Sequence, residues 1–116
     1  MEKKLTISKI GKKEENPLNK AIRYYSIISA VGNLNLTEKE IKLLAFAAIK
    51  GNISSFSNKE EFCKLYNSSS AYINNMISRL KKNSLLIKDT GKIKVNPQIL
   101  LDFNNNILLQ LTISDG

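Results

Sequence analysis

Residues 68–96 read SSSAYINNMISRLKKNSLLIKDTGKIKVN, an amphipathic helix that runs directly into two short strands joined by a glycine-containing turn. Ile73, Met76, Ile77 and Leu80 recur at three- and four-residue spacing and make one apolar stripe. Ser68, Ala71, Asn75, Ser78, Arg79 and Lys82 fall on the opposite side, which is therefore small, polar and cationic. Such a face suits a DNA major groove, where Asn pairs with adenine edges, Ser donates or accepts, and Arg and Lys hold guanine or phosphate. A merely solvated helix face has the same make-up, so its neighbours in the chain have to decide between the two.

Immediately upstream, Ser57-Asn-Lys-Glu60 has the form of a capping box and predicts a short helix with Phe62, Leu65 and Tyr66 inward, closed by Asn67 in a left-handed position. The serines 68–70 then cap the next helix. A short helix, a turn of three or four residues and a second amphipathic helix make a helix-turn-helix. Downstream, Leu85–Lys88 and Lys92–Val95 flank Asp89-Thr90-Gly91 and predict a hairpin.

Further back, Asn16-Pro17 starts a helix whose stripe is Leu18, Ala21, Ile22, Tyr25, Ile28 and Val31, ending at Gly32. Thr37-Glu-Lys-Glu40 is another capping box, Gly51 a stop, and the nearly all-apolar run between them predicts the central buried helix. The expected architecture is mainly α with a small β-sheet (α+β): four helices, a β-hairpin and an extra C-terminal strand. The boundaries fall at a basic arm, 1–15, a domain, 16–103, and a tail, 104–116. Within the arm, Leu5, Ile7 and Ile10 can support a strand, and Gly11–Glu15 reads as linker.

The 116 residues carry 18 Lys+Arg against 10 Asp+Glu, a net charge of +8, and a pI near 9.7. A small domain this basic attracts polyanions, whether DNA, RNA or an anionic membrane face. All the cations but Arg23 and Arg79 are lysines, and Asn and Ile are abundant, a pattern that A/T-rich coding also produces.

Cys63 is the only cysteine, so no internal disulfide or multi-Cys zinc site can form; its phase beside Phe62 places it in the core. No histidine is present, which removes His-based acid–base catalysis and His-ligated metals. Glu38, Glu40, Glu60 and Glu61 read as helix-start residues that complement the dipole, and no glycine-rich phosphate cradle occurs. The reading is a non-enzymatic protein without cofactor, metal or small-molecule substrate. No apolar run approaches the roughly 20 residues that span a bilayer, and MEKKLTISKIGKK lacks the apolar region of a signal peptide, so the expected place is the cytosol and no membrane partner is expected.

Over residues 36–96, and from 17 onward in outline, the chain resembles the winged helix-turn-helix superfamily. LTEKEIKLLAFAA looks like its opening helix, NKEEFCKLY its positioning helix, and SSSAYINNMISRLKKNSLLIKDTGKIKVN its recognition helix and wing. Over residues 17–113, AIRYYSIISAVGNLNLTEKEIKLLAFAAIKG and KIKVNPQILLDFNNNILLQLTI also resemble small winged-helix proteins of tailed phages. The resemblance implies one of two roles. The first is a phage DNA-binding protein in the host cytoplasm that reads duplex DNA with helix 69–83. The second is a virion structural or assembly protein that uses the same fold for protein–protein contacts.

For DNA, the candidate base-reading residues are Ser69, Ala71, Tyr72 and Asn75, and the candidate phosphate contacts are Arg79, Lys81, Lys82, Lys88, Lys92 and Lys94. Tyr72 can equally pack on the turn, and the wing lysines can simply solubilise a hairpin. The tail, ILLQLTI, is nearly continuous in apolar residues, as a strand buried on both faces would be. It has two possible partners. One lies in its own chain, in the wing sheet or at Leu5–Ile10. The other is a neighbouring subunit or another phage structural protein met through Ile107, Leu109, Leu111 and Ile113, which would give an oligomer.

Overall fold

The computed structural model describes residues 2–7, 16–104 and 109–114. In chain order the elements are β1 (Glu2–Ile7), α1 (Pro17–Val31), α2 (Glu38–Lys50), α3 (Phe56–Tyr66), α4 (Ser70–Lys82), β2 (Leu86–Asp89), β3 (Lys92–Val95) and β4 (Leu109–Ser114), with one 3-10 turn at Pro97–Ile99. The architecture is mainly helical with small antiparallel sheets, as the sequence predicts. Gly11–Glu15 and Ile107, read as linker and as a partner contact, lie outside the described residues.

Local chemistry fixes the helix ends. Asn16 Oδ1 accepts from the Asn19 N–H at 2.8 Å ahead of Pro17, whose missing N–H costs nothing in the first turn. Thr37 and Glu40 form the reciprocal capping box, and α2 stops at Gly51, whose φ of +79° is open to glycine without strain. Leu43, Leu44, Ala45, Phe46 and Ala47 are all buried, so α2 is the centre of the core. Against it pack Ala21, Tyr24 and Tyr25 of α1, Phe62 of α3, Ile73, Met76, Ile77 and Leu80 of α4, and Leu86 and Val95 of the hairpin. Burying side chains of this size stabilises by about 1.5–3 kcal/mol each. The α4 stripe is the one the spacing predicts.

Three local expectations change. Helix α3 is capped by Ser55, whose Oγ accepts from the Asn58 N–H at 3.2 Å, so it begins before the Ser57–Glu60 box. The cause lies upstream: Asn58 Nδ2 donates to the Asn52 carbonyl at 2.8 Å, which draws the helix start toward that loop. Glu60 and Glu61 consequently sit inside the helix, paired with Lys64 and Lys50, rather than at its start. Leu65, read as inward, is 52% exposed, and Val31 of the first stripe is 59% exposed. Cys63 is half-buried against the core rather than inside it.

The β2–β3 hairpin turns over Thr90 and Gly91, both at positive φ (48° and 80°), which is the primed two-residue turn that matches strand twist. The turn is one residue shorter than Asp89-Thr90-Gly91, because Asp89 pairs with Lys92. A second, separate sheet joins β1 to β4 antiparallel, with Ile7 opposite Leu109, Leu5 opposite Leu111 and Lys3 opposite Ile113. Opposed residues share a face and neighbours along a strand alternate. Leu109, Leu111 and Ile113 therefore share one face with Leu5, Ile7 and, at its end, Lys3, and Gln110, Thr112 and Ser114 share the other with Thr6, Lys4 and Glu2. Within Leu109–Ser114 the strand thus carries apolar residues on one face and polar residues on the other. Its partner is within the chain, at Glu2–Ile7, which includes Leu5–Ile7 of the expected Leu5–Ile10; residues 8–10 lie outside the described residues.

Candidate nucleic-acid interface

Three residues separate α3 from α4. Asn67 adopts the left-handed conformation (φ 52°), and its N–H and that of Ser68 both donate to the Cys63 carbonyl, satisfying the end of α3. Ser69 caps α4, its Oγ accepting from the Tyr72 N–H at 3.1 Å. Lys39 of α2 braces this turn: its Nζ donates to the Asn67 carbonyl at 3.4 Å and lies 5.3 Å from the centre of the Tyr72 ring. The turn therefore fixes α4 relative to both α3 and α2.

With 3.6 residues per turn, Ala71, Asn75, Ser78 and Lys82 form the central row of the outward face of α4, and all four are exposed. Tyr72 and Arg79 flank the row on one side; Ser70, Asn74 and Lys81 flank it on the other. No acidic residue occurs in the helix. Its last turn carries Arg79, Lys81 and Lys82, cations that also complement the negative end of the helix dipole.

Arg79 is engaged. Its Nη1 lies 3.0 Å from Oε2 of Glu40, whose side chain is almost wholly buried while its Oε1 accepts the Thr37 N–H at 2.9 Å. The Arg79 contact lacks the alignment of a hydrogen bond, so Oε2 is held by charge proximity and by the positive end of α2. Half of Arg79 remains in solvent. Tyr72 is 38% exposed with Lys39 over its ring, and the Ser69 Oγ accepts a helix cap, so of the four base-reading candidates Ala71 and Asn75 are the unencumbered ones.

On the hairpin, the register puts Lys92, Lys94, Asp89 and Ile87 on one face and Lys88 on the face shared with Leu86, Ile93 and Val95. Lys94 Nζ is 3.3 Å from Asp89 Oδ2. The wing lysines therefore do not act as one row: Lys92 is free on the outer face, Lys94 is partnered, and Lys88 lies beyond the end of the core on the inner face.

Between residues 16 and 104 there are 13 Lys+Arg and 6 Asp+Glu, a net +7, so the helical body and hairpin carry nearly all the excess charge. Glu38, Glu40, Glu60, Glu61 and Asp89 each lie within 4 Å of a cationic nitrogen. The Lys42 partner also holds the Glu38 carboxyl below its ordinary pKa. Among the described residues, Lys39, Lys59, Lys81, Lys82, Lys88 and Lys92 have no carboxylate beside them, so uncompensated charge sits on the first turn of α2, on α3, at the end of α4 and on the hairpin.

Sequence reading missed two supports of this site. Lys39 is one. The other is Asn52, whose Oδ1 accepts from the Ser54 N–H, the Ser54 hydroxyl and the Ile93 N–H at 2.9, 2.7 and 3.2 Å, while the Ile53 N–H donates to the Ile93 carbonyl at 2.9 Å. The loop before α3 is thereby fastened along β3. Its only signal in the sequence is an Asn directly after a helix-stop glycine. A groove of about 500 Å³ between α3 and the start of α4 is lined by Ser54, Phe56, Lys59, Cys63, Ser70 and Asn74, among others. Among the described residues no cluster of potential metal ligands occurs, and no helix is long and apolar enough to cross a membrane. No family model, curated protein or solved structure matches the chain.

Proposed function

We propose that this chain is a winged helix-turn-helix protein, of the kind tailed phages encode, that binds duplex DNA and catalyses no reaction. In this reading α3 crosses the phosphate backbone, the N-terminal half of α4 enters the major groove, and the β2–β3 hairpin is the wing. The observation that carries it is α4 itself: an acid-free, exposed polar face held by a three-residue turn, on a body whose acids are already matched. Asn75 is the principal base reader, with Ala71 beside it and Ser69 and Tyr72 at the rim. Lys81, Lys82, Lys92 and the outer half of Arg79 neutralise phosphates, with Lys88 and Lys94 contributing less. The fastening of residues 52–54 along β3 supports the wing reading, because it ties the hairpin to the loop that leads into α3.

The test is binding of the purified chain to duplexes across a salt series. Asn75→Ala should reduce discrimination between sequences by about 1–3 kcal/mol, and Lys92→Ala should weaken all sequences alike and lower the salt slope by about one. No binding to any duplex at about 50 mM salt, where phosphate contacts are strong, sinks the DNA reading. The β1–β4 ribbon favours a second reading, a virion building block whose terminal strands serve as connectors; such a protein binds partner chains and shows no salt-dependent affinity for DNA.

A further inference from the structure

The two edges of the β1–β4 ribbon are unlike each other. Strand β1 is EKKLTI, with three charges in its first three residues; strand β4 is LQLTIS, with none and no proline. Charged side chains, lysine above all, and proline are what keep an open sheet edge from accepting another strand. By that measure β1 is a guarded edge and β4 an unguarded one. Among the described residues neither edge has a further strand. A ribbon of two strands is marginal in water on its own, and further strands with one apolar face, or packing against a helix, stabilise it.

We infer that β4 is a self-association edge, pairing antiparallel with β4 of a second copy of this chain to give a four-stranded sheet in the order β1-β4-β4-β1. A second copy fits better than an unrelated strand for two reasons. The pairing is isologous, so one unguarded edge satisfies both partners and the assembly closes at two. The guarded β1 strands then become the two outer edges, where their lysines stop further growth. Pairing about a two-fold axis at any β4 residue keeps Leu109, Leu111 and Ile113 of both copies on one face, joined to Leu5 and Ile7 of both. The net charge of +8 on each copy opposes association everywhere else, and β4 is a stretch that adds nothing to that repulsion.

The register supplies a matched pair of variants, because Gln110 and Thr6 lie opposite each other on the polar face. Gln110→Lys puts an ammonium group on the unguarded strand, on the same face as its copy, and within two residues of it when the axis falls at Leu109, Gln110 or Leu111. Thr6→Lys puts the same charge on the same face of the guarded strand. Sedimentation equilibrium of the full chain should give a dimer at high concentration. Gln110→Lys should weaken self-association by about tenfold or more, and Thr6→Lys by much less. Hydrogen exchange over Leu109–Ser114 in the unmodified chain should be slower at high protein concentration than at low. A full chain that stays monomeric as its concentration is raised overturns the proposal. So does a dimer that ignores Gln110→Lys or loses as much affinity with Thr6→Lys, and so does exchange over β4 that does not depend on concentration.

Discussion

The two small sheets have the same number of strands and opposite kinds of support. The β2–β3 hairpin closes over two residues and is tied to the body on both sides. The Asn96 N–H donates to the Leu85 carbonyl at 3.0 Å, Asn96 Nδ2 donates to the Ser84 carbonyl at 2.9 Å, and Asn52 and Ile53 bond to Ile93 on the other strand. Leu86 and Val95, paired across it, are buried in the common core. The β1–β4 ribbon joins residues about a hundred positions apart, and closing so long a loop in a free chain costs on the order of 3–4 kcal/mol more than closing two residues.

The body removes part of that cost. Phe103 packs on Tyr24 and Tyr25 of α1 with ring centres 5.6 and 5.9 Å apart, and the Tyr25 hydroxyl donates to the Ile99 carbonyl at 2.8 Å. The chain leaving the body is thus held beside the helix with which the body begins. Burial raises the Tyr25 pKa well above the usual tyrosine range, so this clasp loosens only in strong alkali, when the phenol must give up its proton. The comparison teaches that the hairpin is part of the folded body, whereas the ribbon depends on the body to bring its distant strands together.

The sharpest way to break that distinction is to compare damage at the two sheets. Leu86→Ala should cost about 2–5 kcal/mol in denaturant unfolding, as for other large buried side chains. Removing residues 105–116 in dilute solution should leave the helical signal intact and shift stability by no more than about 1 kcal/mol. Equal losses would make the ribbon part of the same cooperative unit.

Asn52→Ala should have a smaller effect, about 1–3 kcal/mol, because it leaves the Ile93 N–H and the Ser54 backbone N–H without their acceptor. Hydrogen exchange should quicken in β3 and not in β1 or β4; uniform quickening would show that the fastening is not specific to the hairpin. The mildest change goes the other way. Thr90 is β-branched yet sits at φ 48°, where Asn is far better tolerated, so Thr90→Asn should raise the unfolding midpoint by an amount worth up to about 1 kcal/mol. A fall in the midpoint would show that the Thr90 hydroxyl, bonded to the Asp89 carbonyl at 2.7 Å, matters more than its backbone angle.

What the sequence made legible follows from how far its signals reach. The Thr37–Glu40 box and the Gly51 stop are local, and α2 lies where they place it. The inward stripe of α4 and the outward position of Ala71, Tyr72 and Asn75 follow from helical periodicity alone. The start of α3 was misplaced at the Ser57–Glu60 box because the cap is Ser55, with Asn58 tied back to the Asn52 carbonyl in a loop that the box pattern does not register. The Arg79–Glu40 pair was hidden because 39 residues separate its members. In the tail, the alternation of LQLTIS can be read from the residues themselves, whereas its pairing with Glu2–Ile7, about a hundred positions away, has no local signal.

The Glu40 carboxylate sets a condition on how α4 can work. It closes the cap of α2 with one oxygen and meets Arg79 of α4 with the other, so one buried carboxylate links the central helix to the outward-facing helix beside their shared apolar core. An anion that pulled Arg79 away would strand that charge in the core, a state buried carboxylates resist strongly. Arg79 is therefore an anchored cation: under the proposed DNA-binding function, a phosphate would be accommodated only where the guanidinium can touch it and keep Glu40, which would narrow the positions of a backbone beside the end of α4.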